Sequence, residues 1–295
     1  MSTQSNPRQS PPPERKKMTL FDLASKKQDN IPITMLTAYD YSSAMLVDRG
    51  GIDVILVGDS LGMVMMGLES TVPVTMAEML HHCRAVARGA KYAFLVGDMP
   101  FMSYQADVSE AVRNAGLFLK EGAMESVKIE GGREVAATAK AIVDAGIPVM
   151  GHIGLTPQSA SKLGGYRVQG KTASEALRLL EDALLLEKAG CYSLVLEAIP
   201  EIVAKIISQR LSIPTIGIGA GKGCDGQVLV YHDLIGLFDR FQPKFVKQYA
   251  NVSAVIGDAI REFSTDVRTG LFPARQHTYE MEEAEQEELL NSIDF

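Results

Sequence analysis

The sequence predicts an α/β fold of the (β/α)8 TIM-barrel type, and three observations lead there. From Ile31 onward, short β-branched apolar runs alternate with amphipathic helical stretches, the pattern of a parallel sheet with helical crossovers. Eight strand candidates of this kind occur before Arg268, and such a barrel takes roughly 250 residues. The alternative, a doubly wound open sheet, is less favoured because no G-x-G-x-x-G follows the first strand.

The strand candidates are 33–38, 53–57, 93–96, 126–129, 148–152, 193–196, 214–218 and 227–230. Between them, 75–88 carries Met76, Met79, Leu80, Cys83, Val86 and Ala87 at a helical period. Thr75 and Glu78 have capping-box spacing at its start and Gly89 stops it. In 134–145, Val135, Ala136, Ala139, Ile142 and Val143 share one face before Gly146. A helix over 174–189 is expected to be capped by Ser174, to turn Leu177, Leu180 and Leu184 inward, and to end at Gly190. Shorter helices are expected after Asp107 and Pro200, with two more between Asp233 and Arg268.

Composition narrows the function classes. The chain is 46% hydrophobic, and no apolar run reaches the roughly 18 residues of a membrane span. Residues 1–17 hold Pro11, Pro12 and Pro13 with four basic side chains and no apolar stretch, which reads as a disordered leader rather than a secretory signal. Residues 18–273 read as the catalytic barrel and 274–295 as an acidic tail, whose last sixteen residues, Glu280 to Phe295, hold six glutamates, Asp294 and no basic residue and so carry −7, the whole formal net charge. The mildly acidic body lacks the basic face that nucleic acid requires. Cys83, Cys191 and Cys224 are widely spaced and fit no metal pattern, so free thiols in a reducing cytoplasm are the simplest account.

In a barrel the site lies where strands end. The second strand runs into Gly58-Asp59-Ser60, the third into Gly97-Asp98, the fourth ends in Lys128-Ile129-Glu130, the fifth in His152, the sixth in Glu197, and the seventh in the glycine-rich 217–221. The period of two puts Val127 and Ile129 on one face of the fourth strand and Lys128 with Glu130 on the other. That pair reads either as a structural ion pair or as part of a ligand site. Asp59, Asp98 and Glu130 end successive strands, and three such carboxylates repel until protons or a cation intervene. An all-oxygen donor set suits Mg²⁺, while zinc is disfavoured with one rim histidine and no rim cysteine. Lys128 could bind a substrate carboxylate or form a Schiff base, and the neighbouring acids argue against the latter. Glu197 reads as a general base or as a helix-start acid ahead of Pro200, and His152 as a core histidine or a substrate-facing one. The loop 154–172, with four glycines, has the character of a lid or a cosubstrate contact. Taken together, the residues point to a divalent-metal barrel enzyme that removes a proton beside a carbonyl and makes or breaks a carbon–carbon bond.

These residues lie in motifs that closely resemble the ketopantoate hydroxymethyltransferase family from about Met18 to Pro273. The motifs are TMLTAYDY at 34–41, VGDSLGMV at 57–64, PVTMAEMLHH at 73–82, VGDMPFMSYQ at 96–105, VKIEGG at 127–132, GHIGLTPQ at 151–158, LEAIP at 196–200 and GIGAGKGCDGQVLV at 217–230. The resemblance implies one-carbon transfer from 5,10-methylenetetrahydrofolate to 3-methyl-2-oxobutanoate, giving 2-dehydropantoate on the route to pantothenate and coenzyme A. It implies Mg²⁺ on Asp59, Asp98 and Glu130, the oxo acid against Asp59, Ser60, Asp98 and Lys128, and His152 facing substrate. It makes Glu197 the proton acceptor of an Mg²⁺-stabilised enolate, and it implies a cytoplasmic homo-oligomer, usually a decamer. Competing readings are a metal-dependent barrel lyase or aldolase acting on another 2-oxo acid, and a silent barrel that binds a small acid.

Overall fold

The computed structural model describes residues 15–162, 164–240 and 243–293. Most of the expected leader, residues 1–14, lies outside the described residues. Its last residues touch the barrel: Arg15 donates to the carbonyls of Asp48 and Ile52, and Lys17 pairs with Glu125 at 2.7 Å.

Helix α1 (Leu20–Gln28), which the strand–helix alternation beginning at Ile31 does not include, precedes the barrel and starts at a Thr19/Asp22 capping box. There follow β1 (Ile33–Thr37), α2 (Tyr41–Arg49), β2 (Val54–Val57), α3 (Leu61–Val64), α4 (Met76–Gly89), β3 (Phe94–Asp98), α5 (Val108–Lys120), β4 (Ser126–Glu130) and α6 (Ala136–Asp144). The second half holds β5 (Val149–Gly154), α7 (Ala173–Ala189), β6 (Ser193–Glu197), α8 (Glu201–Arg210), β7 (Thr215–Ile218), β8 (Gly226–Leu229), α9 (Tyr231–Ile235), α10 (Val252–Thr269) and α11 (Glu283–Ser292). All eight strands are parallel and close in sequence order, β8 pairing back onto β1. The expected barrel is the observed fold.

Two expectations need correction. The α7 cap is Thr172, because Glu175 sits three residues beyond it and closes the box. Its buried face is Ala183, Leu186 and Ala189; of the three expected leucines Leu180 packs against the core, whereas Leu177 and Leu184 are exposed, because leucines recur on several faces of this helix and periodicity alone does not choose among them. No helix lies between β7 and β8, where the glycine-rich loop makes the whole connection.

Alternation along the strands sorts the core into two parts. Outward residues such as Val127 and Ile129 pack beneath the helices, while Met35, Leu56, Val96, Met150 and Val195 fill the lumen. Leu23 of α1 is buried in that lumen cluster and closes the N-terminal mouth. Two matched anchors hold α1 there. Lys26 lies 3.1 Å from Asp53, which also accepts from the Thr34 N–H, and Lys27 lies 2.7 Å from Asp225, which accepts from the Thr215 N–H. With the floor sealed, only the C-terminal end of the barrel is left for chemistry. Leu23→Ala should cost about 2–5 kcal/mol, read as a lower denaturant midpoint at unchanged m-value; an unchanged midpoint would show that the floor does not depend on this side chain.

Candidate active site and metal centre

Above the apolar layers the lumen becomes charged. In β3 the inward series Phe94, Val96, Asp98 ends in an acid, and in β4 the series Ser126, Lys128, Glu130 carries both charges. Register pairs Asp98 with Lys128, Glu130 with His152, and Gly154 with Glu197. Asp59 enters from the turn after β2, its backbone N–H donating to Asp98 Oδ2 at 3.2 Å. Asp59, Asp98 and Glu130 are all buried, and each brings a carboxylate oxygen within 4.8 Å of the others.

Lys128 Nζ lies 2.8 Å from Asp98 Oδ1, 3.4 Å from Glu130 Oε1 and 3.3 Å from His152 Nδ1. The ion pair expected between Lys128 and Glu130 therefore exists, but Asp98 is the nearer partner. His152 stands between two carboxylates, with Nδ1 3.2 Å from Glu130 Oε1 and Nε2 3.2 Å from Glu197 Oε2. The second contact is an ion-pair distance without hydrogen-bond alignment, so Nε2 has no bonded partner. Ser60 bonds the Tyr39 hydroxyl at 2.8 Å.

The acids do not titrate alike. Burial pushes the Asp59 carboxyl well above the usual range, and Asp98 and Glu130 push it further. Burial also raises Asp98, with Lys128 opposing. At Glu130 the burial effect is outweighed by Lys128 and His152, which hold the carboxyl down at about 2. For Lys128, burial disfavours the ammonium, but Asp98, Glu130 and Asp59 reverse that and hold it charged, which removes the free amine a Schiff base requires. Burial and Lys128 work against the His152 imidazolium, yet Glu130 and then Glu197 carry it up to about 9.

This donor set fits a hard divalent cation. It is oxygen-only, it gathers three buried carboxylates of which burial and mutual repulsion push Asp59 and Asp98 upward, and Asp98 Oδ1 has no aligned hydrogen-bond donor. Two residues beyond the expected set brace it. Gln158 Nε2 donates to Asp59 Oδ2 at 2.9 Å while its backbone N–H donates to Glu130 Oε2 at 3.1 Å. The Tyr104 hydroxyl accepts from the Glu130 N–H at 3.0 Å and lies 2.8 Å from Gln158 Oε1. Both sit within the quoted motifs, but nothing local distinguishes a glutamine after Thr-Pro from a loop residue.

The fold and this rim define a class: a parallel TIM barrel whose open end carries a carboxylate cluster able to hold a metal ion. The ketopantoate hydroxymethyltransferase family model matches residues 17–275. The 3-methyl-2-oxobutanoate hydroxymethyltransferase of Moorella thermoacetica (strain ATCC 39073 / JCM 9320) is 56% identical over 266 residues, covering 90% of this chain and 99% of the relative. That of Syntrophus aciditrophicus (strain SB) is 53% identical over 279 residues, covering 95% and 100%. Among solved structures, phosphonopyruvate hydrolase in complex with oxalate and Mg²⁺ superposes with a TM-score of 0.59 at 14% identity, covering 93% of this chain and 97% of the other. A 2,3-dimethylmalate lyase of the PEP mutase/isocitrate lyase superfamily superposes with a TM-score of 0.57 at 13% identity, covering 92% and 94%; at these identities the likeness is one of fold. The chain belongs to the ketopantoate hydroxymethyltransferase family and is an enzyme of the transferase class.

In metal-free protein His152 should titrate near pH 9, followed by NMR of the ring protons, and Glu130→Gln should lower the midpoint. Because the folded value exceeds the unfolded one, the stability this group adds is full below pH 6.5 and lost as pH rises through about 9. A midpoint at or below 6.5 would contradict the imidazolium between two carboxylates.

Proposed function

We propose that the enzyme transfers a hydroxymethyl group from 5,10-methylenetetrahydrofolate to 3-methyl-2-oxobutanoate, giving 2-dehydropantoate, with residues 18–273 as the catalytic unit. The observation that carries this reading is one buried ammonium and three clustered carboxylates in a chain of this family, with a fourth carboxylate, Glu197, set apart from them. Asp59, Asp98 and Glu130 would hold Mg²⁺, which when bound supplies a Lewis acid for a 2-oxo acid. Lys128 offsets the charge of the substrate carboxylate, and Asp59, Ser60, Asp98 and His152 complete the oxo-acid site, the Ser60 hydroxyl being oriented by Tyr39. Glu197, 16% exposed at its side chain, takes the C3 proton. The electron pair left at C3 then bonds to the one-carbon unit, whose two carbon–nitrogen bonds to the folate break in turn; a water supplies the new hydroxyl group, and the C3 proton and the other water proton end on the two folate nitrogens.

The enzyme in this reading is cytoplasmic and works as a homo-oligomer. Free thiols at Cys83, Cys191 and Cys224 support a reducing compartment. Among the described residues no helix is long and apolar enough to cross a membrane. Helix α10 has no buried residue, yet Ile256, Ile260, Phe263 and Val267 form one exposed stripe, which supports burial against another copy. Ile260→Glu with Phe263→Glu should lower the solution mass by light scattering; an unchanged mass would exclude this face as the contact.

Product formation should be abolished by EDTA and restored by Mg²⁺, and Glu197→Gln should lower kcat by about 10²–10⁴-fold while calorimetry still detects 2-oxo acid binding. EDTA-resistant turnover would remove the metal from the reading, and full turnover in Glu197→Gln would remove the base.

A further inference from the structure

We infer that Gln158 is a positioning residue that fixes two of the three clustered carboxylates in the geometry a cation needs, and that Tyr104 sets the orientation of its amide. The inference rests on the metal-site reading above and deepens it.

Gln158 lies in the short 3-10 turn Pro157–Ser159 after β5, and its side chain is buried. Every polar group of that amide is used. Its oxygen is approached by the Tyr104 hydroxyl at 2.8 Å and accepts from Gln105 Nε2 at 3.3 Å, so the nitrogen must be the end turned toward the carboxylates. That nitrogen has two hydrogens and two acceptors, Asp59 Oδ2 and the Met99 carbonyl, each at 2.9 Å. The backbone N–H of the same residue holds Glu130 Oε2. One residue thus grips Asp59 from the turn after β2 and Glu130 from the end of β4, and ties both to the backbone beyond β3.

Tyr104 closes the frame from the other side. Its hydroxyl accepts from the Glu130 N–H at 3.0 Å and has two acceptors in reach, Gln158 Oε1 at 2.8 Å and the Glu130 carbonyl at 3.2 Å; the shorter contact favours an amide oxygen at this end of Gln158. A flipped amide would turn an oxygen toward Asp59, placing acceptor against acceptor in a buried site. Partners of metal-binding carboxylates typically contribute 10–100-fold in affinity through orientation. The arrangement also makes the turn at Pro157–Ser159 part of the cation site, although no residue of that turn is among the expected ligands.

The test is Mn²⁺ binding, counted by electron paramagnetic resonance on chelator-stripped protein, with no turnover required. Gln158→Met keeps the length and removes both donors; it should weaken Mn²⁺ binding by about 10–100-fold, and turnover should recover as metal is raised. Tyr104→Phe removes the group that orients the amide and should weaken binding in the same direction. Wild-type affinity in a folded Gln158→Met protein would overturn the inference. Should that variant not fold, Tyr104→Phe decides by the same criterion. A wild-type protein that binds no Mn²⁺, or whose binding is untouched by Asp98→Asn, would instead sink the metal reading itself.

Discussion

The site depends on one buried cation. Lys128 has a side chain only 4% exposed, and desolvating an isolated ammonium to that degree costs several kcal/mol. It stays charged because Asp98 and Glu130 face it and Asp59 adds to the field. The dependence is mutual, since Glu130 keeps its charge largely through Lys128. Asp59 shows what remains uncompensated: burial, then Asp98 and Glu130, push its carboxyl up against the opposing pull of Lys128. A rim assembled this way is stable enough to fold and remains short of positive charge, which is a physical reason for it to recruit a cation.

Close approach of backbone and helix is what brings these groups to one level. Gly97, one residue before Asp98, faces helix α5, where a methyl group would strike the Phe118 ring. Gly154 has φ +97° and lies against the Glu197 carbonyl, which a Cβ would overlap. The Gly-Asp dipeptide of β3 is thus a packing device: small outward, acidic inward.

Much of this was legible before any coordinates. Strand alternation places Lys128 and Glu130 on the lumen face, and strand ends at Asp59, Asp98, His152 and Glu197 locate the rim, because a period of two leaves little choice once β-branched neighbours fix the outer face. The positions of Gln158 and Tyr104 were not legible. Their roles come from contacts across 54 residues of sequence, as in the Tyr104–Gln158 pair, and 99, as in Gln158–Asp59, and no local pattern encodes such contacts. The inward face of α7 is only partly legible for a related reason: with leucine at 177, 179, 180, 184, 185 and 186, the neighbouring elements decide that Leu180 and Leu186 are covered while Leu177 and Leu184 are not.

The placement of Glu197 carries a final argument about division of labour. In the proposed reaction Glu197 would be the base, and a base that accepts a proton from carbon works best uncommitted to a cation, since coordination lowers the basicity of a carboxylate. Four carboxylates stand at this rim, and the barrel separates one of them by a simple device. Strand β5, between β4 and β6, contributes an imidazole where its neighbours contribute acids, so the register Glu130–His152 and Gly154–Glu197 interposes a ring between the cluster and the fourth acid. The ring contacts both sides at 3.2 Å, with hydrogen-bond alignment on the cluster side alone. His152 therefore stands between Glu197 and the three clustered acids while keeping it within one ring's width of them, which is the spacing the proposed reaction requires of a base beside a chelated substrate.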